Sequence, residues 1–288
     1  MRLLACLLFL GVSAANAQQV DPAAWGSDHV GKPVPSYDDG NACLFCHRTT
    51  IGPGWQTNRH ATTIRDAIEG PADRQGAELL LGRGKVIRLL KRTADYGTLA
   101  MRVNDEWNAT EFGARCAGCH TSGVDSPSRT FQAVSLDCHT CHGIAEPEHT
   151  KDGALMVLSH KGSTPADIEV SICGSCHLRG GMSRSSGLPF ANNFVPGDNL
   201  FKDFEVNLSD ARIVNEGPGD AHVLQNVRDV VLSISKAIQC TSCHSVHGES
   251  SKQHTRLAEQ PICFACHTRG EPMARVKDEV RHSAVCEY

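Results

Sequence analysis

The sequence predicts a chain that is mostly irregular, with several short α-helices and one small β-hairpin. Two observations lead to this expectation. The pentapeptide Cys-x-x-Cys-His occurs six times within 288 residues, and only 5% of the residues are aromatic. With so few aromatic side chains, a chain of this length is expected to build its core around the groups that the pentapeptides bind.

The pentapeptides have the attachment signature of c-type haem. In such a site the two thiols form thioethers with the haem vinyl groups, and the adjoining imidazole becomes the proximal iron ligand. The thiols are those of Cys43, Cys46, Cys116, Cys119, Cys138, Cys141, Cys173, Cys176, Cys240, Cys243, Cys263 and Cys266. The proximal histidines are His47, His120, His142, His177, His244 and His267. The sequence therefore predicts six covalently attached haem c groups, with short helices wrapped around stacked haems.

A Cys-x-x-Cys pair alone would also fit half of a zinc site, a redox dithiol or two disulfide ends. Zinc sites place a histidine three to five residues from its partner ligand and do not require one directly after every second cysteine. The six copies use all but two of the 14 cysteines, leaving Cys6 and Cys286. The sixfold repetition favours haem.

The N-terminus has the pattern of a secretory signal. A positive start, Met1-Arg2, precedes an apolar run from Leu3 to Val12 and the ending Ala15-Asn16-Ala17. We expect a signal peptide at residues 1–17 and a hexahaem cytochrome c domain at 18–288, located in the periplasm or outside the cell. The apolar run is too short to span a bilayer, so no membrane span is expected after cleavage. The formal charge of −4 does not indicate a nucleic-acid partner.

The first long stretch of ordinary protein character favours the β-hairpin. Two segments of strand character, 86–92 and 98–103, flank a turn that contains Asp95 and Gly97. A helix over 77–92 is the alternative, but Gly82 and Gly84 disfavour it. The same stretch carries a basic cluster that we expect to be a solvated face: Arg83, Lys85, Arg88, Lys91 and Arg92.

The segment after the first motif, Trp55-Gln56-Thr57-Asn58-Arg59-His60-Ala61, resembles the multihaem cytochromes of the cytochrome c-554 type, in the doubled CXXCH superfamily. In that family the histidine of this segment is a distal haem ligand, which implies this role for His60. The third motif is followed by Gly143 and by His149, and the resemblance implies that His149 is also a distal ligand. His139 stands where the family usually has an acidic residue.

The fifth motif continues as Ser245-Val246-His247-Gly248, a form that is common in this superfamily. His247 is three residues from His244, and three residues reach only about 10 Å when extended. The chain cannot pass around a porphyrin edge in that span, so His247 is predicted to bind a neighbouring haem. Relatives often have Ser-x-His-Ala before this motif. Here 233–237 contains no histidine, and His222 is a candidate substitute.

Nine histidines lie outside the motifs, enough to supply a sixth ligand to every haem. Besides His60, His149 and His247, the candidate distal ligands are His29, His160, His222, His254 and His282. Closed bis-histidine iron has no open position for a substrate and cycles one electron. We therefore expect an exported electron-transfer cytochrome that serves redox partner proteins, with a membrane quinol dehydrogenase or a terminal reductase as candidates.

Four points stay open here. In the first alternative, the protein is a multihaem oxidoreductase that acts on a small nitrogen or sulfur species at one open haem. In the second, it is an oligomer in which a spare histidine ligates a neighbouring protomer's haem. The motif spacing also permits two three-haem halves, 18–150 and 151–288. Cys286 is either the stub of a seventh motif or an unpaired cysteine.

Overall fold

The computed structural model describes residues 33–37, 40–69, 76–83, 86–145, 147–159, 165–232 and 239–248. Five of the six motifs fall within these ranges. Several predictions lie outside them: the signal segment 1–17, the sixth motif 263–267, Cys286, and the candidate ligands His29, His160, His254 and His282.

A five-stranded antiparallel sheet follows the first motif, and its strands are adjacent in chain order. The predicted hairpin is confirmed as the third and fourth strands, in which Leu90 pairs with Met101. The alternative helix over 77–92 is wrong, because the second and third strands occupy that segment. The strands are β1 (Ile64–Asp66), β2 (Leu79–Leu81), β3 (Arg88–Arg92), β4 (Leu99–Val103) and β5 (Glu106–Asn108).

The turn of the hairpin requires glycine at position 97. Gly97 has a φ of 71°, a left-handed conformation that side chains with a Cβ rarely adopt. A Cβ at this position would also overlap the carbonyl oxygen of Phe131. The carbonyl of Gly97 accepts a hydrogen bond of 2.9 Å from the Phe131 N–H, which ties the hairpin turn to the loop beyond the second motif.

The buried face of the sheet anchors the second motif. Leu90 and Leu99 are buried in a cluster with Phe112 and Phe131, whose rings lie 5.9 Å apart and nearly perpendicular. The fully buried Ala117, inside the second motif, belongs to the same cluster. Two short helices carry these residues, α3 (Glu111–Arg115) and α4 (Ala117–His120), and the pair β6 (Thr121–Ser122) and β7 (Ala133–Val134) follows.

A second core lies around the fourth motif, which ends the helix α6 (Ala166–His177). Val170 of α6 packs with Leu224 and Phe204, and all three are almost fully buried. The side chain of Ser209 accepts a hydrogen bond from the N–H of Arg212 and so starts a short helix. This region contains β8 (Met182–Ser183), β9 (Phe204–Glu205), α7 (Asp210–Ile213) and α8 (Pro218–Leu232).

The other helices of the described chain are short, and three of them carry motif residues. They are α1 (Cys43–His47), α2 (Gly52–Thr57), α5 (His139–His142) and α9 (Cys240–Cys243). Short helices and long irregular connections agree with the architecture that the sequence predicts, whereas the predicted hairpin is part of a larger, five-stranded sheet. In the ranges given above, we find no helix with both the length and the apolar character needed to cross a membrane.

Candidate functional site

Each of the five described motifs forms a helical turn. In an α-helix the residues at positions i, i+3 and i+4 share one face. Cysteines at i and i+3 and a histidine at i+4 therefore present two thiols and an imidazole on the same side. Helix α1 and the last turn of α6 contain all three residues, α4 and α5 begin directly after the first cysteine, and α9 ends directly before the histidine. The local geometry is that required for attachment to the edge of one macrocycle.

The structure brings histidines from distant segments together in pairs. Four such pairs occur in the described chain, and each combines one motif histidine with one histidine outside the motifs. The ring centroids are 6.0 Å apart for His47 and His149, 6.1 Å for His60 and His177, 5.7 Å for His142 and His247, and 6.3 Å for His222 and His244.

These separations fit a metal ion between the rings. A bond of about 2 Å from each ring nitrogen to a transition metal places the centroids of two opposed imidazoles about 6 Å apart. Directly packed aromatic rings also occur at such distances. Direct packing, however, gives no reason for every pair to contain a motif histidine. The donor set and its spacing therefore fit c-type haem.

Four of the paired imidazoles are in environments that favour the neutral form, which metal coordination requires. Burial lowers the pKa of His60, His142 and His247. Burial, assisted by the charges of His60 and Arg179, lowers the pKa of His177 to about 4. Nδ1 of His142 lies 2.9 Å from the carbonyl oxygen of Val157. When Nδ1–H donates to that oxygen, Nε2 is left free to bind iron.

His120 lies apart from these four pairs. Its Nδ1 atom is buried and has no hydrogen-bond partner in the described part of the chain. Burial is the main cause that lowers the pKa of this imidazole, followed by the charge of Arg179. No second imidazole faces His120 among the residues that the structure describes, and four of the candidate distal ligands fall outside those residues.

His139 differs from the paired histidines. Its Nδ1 lies 2.8 Å from the carbonyl oxygen of Gly143, and the Tyr37 ring stacks on it at 5.0 Å and 11°. Burial, followed by the charges of Asp137 and Asp198, raises the pKa of Tyr37 to about 12. His139 therefore packs against Tyr37 and not against a second imidazole, and its Nε2 is buried without a hydrogen-bond partner in the described part of the chain.

Thiols of different motifs lie side by side. The Sγ atoms of Cys119 and Cys176 each approach a backbone oxygen of the opposite motif, at 3.9 Å from Ser175 O and 3.7 Å from Gly118 O. A hydrogen bond with Cys176 is the main cause that raises the pKa of the Cys119 thiol. The second and fourth motifs are therefore in direct contact.

The first and third motifs are neighbours in the same way. Burial, followed by the nearby thiol of Cys43, raises the pKa of Cys138 to about 12. The Sγ atom of Cys138 also lies 3.7 Å from the carbonyl oxygen of Gly40, directly ahead of the first motif.

Glu169 joins the fourth and fifth motifs and was not anticipated from the sequence. Its carboxylate is almost fully buried and accepts hydrogen bonds of 2.7 Å and 2.9 Å from the N–H and hydroxyl of Thr241. One carboxylate oxygen and the Sγ atoms of Cys173 and Cys240 lie within 4.8 Å of one another. No sequence signal indicates this contact, because Glu169 and Thr241 are 72 residues apart in the chain.

Comparison with known proteins bears on these motifs. A family model described as the doubled CXXCH motif matches residues 234–272, which contain the fifth and sixth pentapeptides. This match supports the interpretation of the pentapeptides of this chain as attachment motifs for c-type haem. The motifs accordingly imply covalently bound c-type haem.

Among solved structures, this chain is similar to one described as outer cell wall cytochrome OcwA. The two are 24% identical over 59% of this chain and 44% of that chain, with a TM-score of 0.42. The match thus spans less than half of that protein's length. A comparison with curated proteins gave no match.

Proposed function

We propose that this chain is an exported electron-transfer protein that carries six haem c groups, mostly with bis-histidine iron. The observation that supports it most strongly is the set of four imidazole pairs at 5.7–6.3 Å, each with one motif histidine. When bound, haem c supplies one-electron redox chemistry, and a closed bis-histidine site leaves no position for a substrate.

Each pair assigns a distal ligand to a particular motif. In this proposal His149 serves the first motif, His247 the third, His60 the fourth and His222 the fifth. The twelve motif cysteines attach the haems, and the histidine of each motif is the proximal ligand. The remaining candidates for the second and sixth motifs are His29, His160, His254 and His282.

Contacts between the thiols of different motifs bring the haem-attachment sites close together, which supports electron transfer within the protein. Cys43 neighbours Cys138, Cys119 neighbours Cys176, and Cys173 neighbours Cys240. Burial, followed by the charge of Cys176, raises the pKa of Cys141 to about 12, so the third and fourth motifs are also neighbours. The attachment points of five motifs thus form one contiguous group, as a relay between neighbouring redox centres requires.

The proposed location is the periplasm or the exterior of the cell, after removal of residues 1–17. There the cytochrome would exchange electrons with redox partner proteins, for which a membrane quinol dehydrogenase or a terminal reductase are candidates. The motif for export and the haem-attachment motifs support the same compartment.

The test is to express the full chain in an export-competent host with c-type haem maturation and to measure its intact mass and reductive titration. We expect the mass of residues 18–288 plus six haems, and six electron equivalents per molecule. A colourless product with the mass of the bare polypeptide would contradict the proposal. Spectral shifts on adding nitrite or carbon monoxide would instead favour the oxidoreductase alternative.

A further inference from the structure

We propose that Asn58 is a positioning residue that sets the sixth iron ligand at two haem sites at once. This inference rests on the proposed bis-histidine coordination. Asn58 lies two residues before His60, and its side chain is also bonded to the chain on both sides of His247. A single amide therefore contacts the backbone of His60 and of the two residues that flank His247, and these two histidines face two different motifs.

The oxygen of the Asn58 amide orients His60. Its Oδ1 accepts a hydrogen bond of 2.8 Å from the His60 N–H, and its own backbone carbonyl accepts bonds from the N–H and hydroxyl of Thr62 at 3.1 Å and 2.7 Å. This turn presents the His60 ring to His177 of the fourth motif, at 6.1 Å between centroids.

The nitrogen of the same amide holds the segment of His247. Nδ2 donates to the carbonyl oxygens of Val246 and Gly248 at 2.7 Å and 2.6 Å. These two carbonyls flank His247, whose ring faces His142 of the third motif at 5.7 Å. The bonds cross 188 and 190 residues of sequence. These two hydrogen bonds hold the backbone at His247 in position.

An amide suits this position because it combines two N–H donors with an acceptor oxygen in one short side chain. Asn58 has no exposed surface, so water cannot replace a bond that a substitution removes. The preceding helix α2 fits closely against the same segment. A Cβ at Gly54 would lie 2.5 Å from the carbonyl oxygen of His247 and 3.2 Å from Cα of Gly248.

Two substitutions separate the two halves of the contact. Asn58→Asp retains an oxygen acceptor for the His60 N–H but replaces both donors to Val246 and Gly248 with an oxygen that repels their carbonyls. We expect one haem equivalent to change from low spin to high spin, at the site of His142. Asn58→Ala removes both sets of bonds, and we expect up to two high-spin equivalents.

The readout is quantitative electron paramagnetic resonance with a haem count on the same sample. Added imidazole should restore the low-spin signal, because a displaced ligand leaves an accessible coordination position. The double variant Asn58→Asp with His247→Ala should show no more high-spin haem than His247→Ala alone, since both changes act on one ligand.

Asn193→Ala is the matched control. Asn193 is also almost fully buried, and its Oδ1 accepts a hydrogen bond of 2.7 Å from the N–H of Ser126. Its loss should lower stability without changing the spin state. If Asn58→Asp reduces the haem count, Gly54→Ala provides the second variant. It leaves Asn58 intact, pushes on the His247 carbonyl and should give the same single high-spin equivalent.

The outcomes distinguish this inference from the proposed function. A wild-type protein that is already mostly high spin contradicts bis-histidine coordination itself. A low-spin wild type, with Asn58→Asp, Asn58→Ala and Gly54→Ala all unchanged in spin state at full haem count, overturns only the role of Asn58. Equal high-spin signals from Asn193→Ala would also overturn it, because the effect would then be general destabilisation.

Discussion

Gly118 occupies the middle of the second motif, at a position where the backbone approaches the buried ring of Phe190. A Cβ at this position would overlap that ring. We therefore expect Gly118→Ala to destabilise the protein by about 1–3 kcal/mol, the usual effect of overpacking a filled core. The thermal midpoint followed by circular dichroism measures the effect. Gly217→Ala is the control, because a Cβ there meets no atom within 4 Å.

His222 is the residue for which sequence and structure together make the sharpest ligand prediction. Its ring centroid lies 6.3 Å from that of His244, and no histidine occurs at 233–237. His222→Ala should convert one haem equivalent to high spin, reversibly on addition of imidazole. His139→Ala, which removes a ring stacked on Tyr37, should leave every haem low spin. The reverse pattern of spin states would contradict the assignment.

At the level of secondary-structure elements, Glu169 connects α6 to α9. Hydrogen bonds to a charged group contribute about 1.5–3 kcal/mol, and this carboxylate is buried. Glu169→Gln retains one acceptor oxygen, so we expect a loss of about 1–2 kcal/mol and a lower thermal midpoint. Glu216→Gln removes the charge of a carboxylate that pairs with Arg212 and is more exposed than Glu169. We expect it to lower the free energy of unfolding by less than about 1 kcal/mol. Equal losses would contradict the connecting role of Glu169.

The hairpin β3–β4 was predictable because two strand-like segments flank a turn with a required glycine. The strands β1, β2 and β5 were not, since each has three residues and is too short to show a period. All three leucines of β2 are buried, so no polar alternation marks it as a strand. These strands exist because pairing with their neighbours and burial against the core stabilise them.

The haem-attachment residues were predictable because covalent chemistry requires them at one fixed spacing. The pairing of His247 away from His244 also followed from the limited reach of three residues, and the structure brings it near His142. Asn58 and Glu169 were not predictable, because their partners lie 188 and 72 residues away. Contacts over such distances in sequence depend on the complete fold.

For the whole molecule, the imidazole pairs join segments that are far apart in the chain. His60 faces His177, and His142 faces His247. Iron bound between the members of each pair would therefore link residues that are more than about 100 positions apart in the sequence. Metal binding that joins distant ligands contributes to folding free energy directly. We therefore expect the chain to lack cooperative unfolding when it is made without haem attachment. Circular dichroism during heating and limited proteolysis of haem-free and haem-loaded protein test this expectation. A haem-free chain with the same melting transition would contradict it.

The most direct test of the proposed coordination is a ligand census of the intact, fully oxidised cytochrome by near-infrared magnetic circular dichroism, with haem quantified in the same sample. The charge-transfer bands of this spectrum distinguish histidine–histidine from histidine–methionine and high-spin iron. We predict histidine–histidine bands equivalent to at least four haems per molecule, one for each imidazole pair. Fewer than four, with the balance high spin or methionine-ligated, would contradict the account.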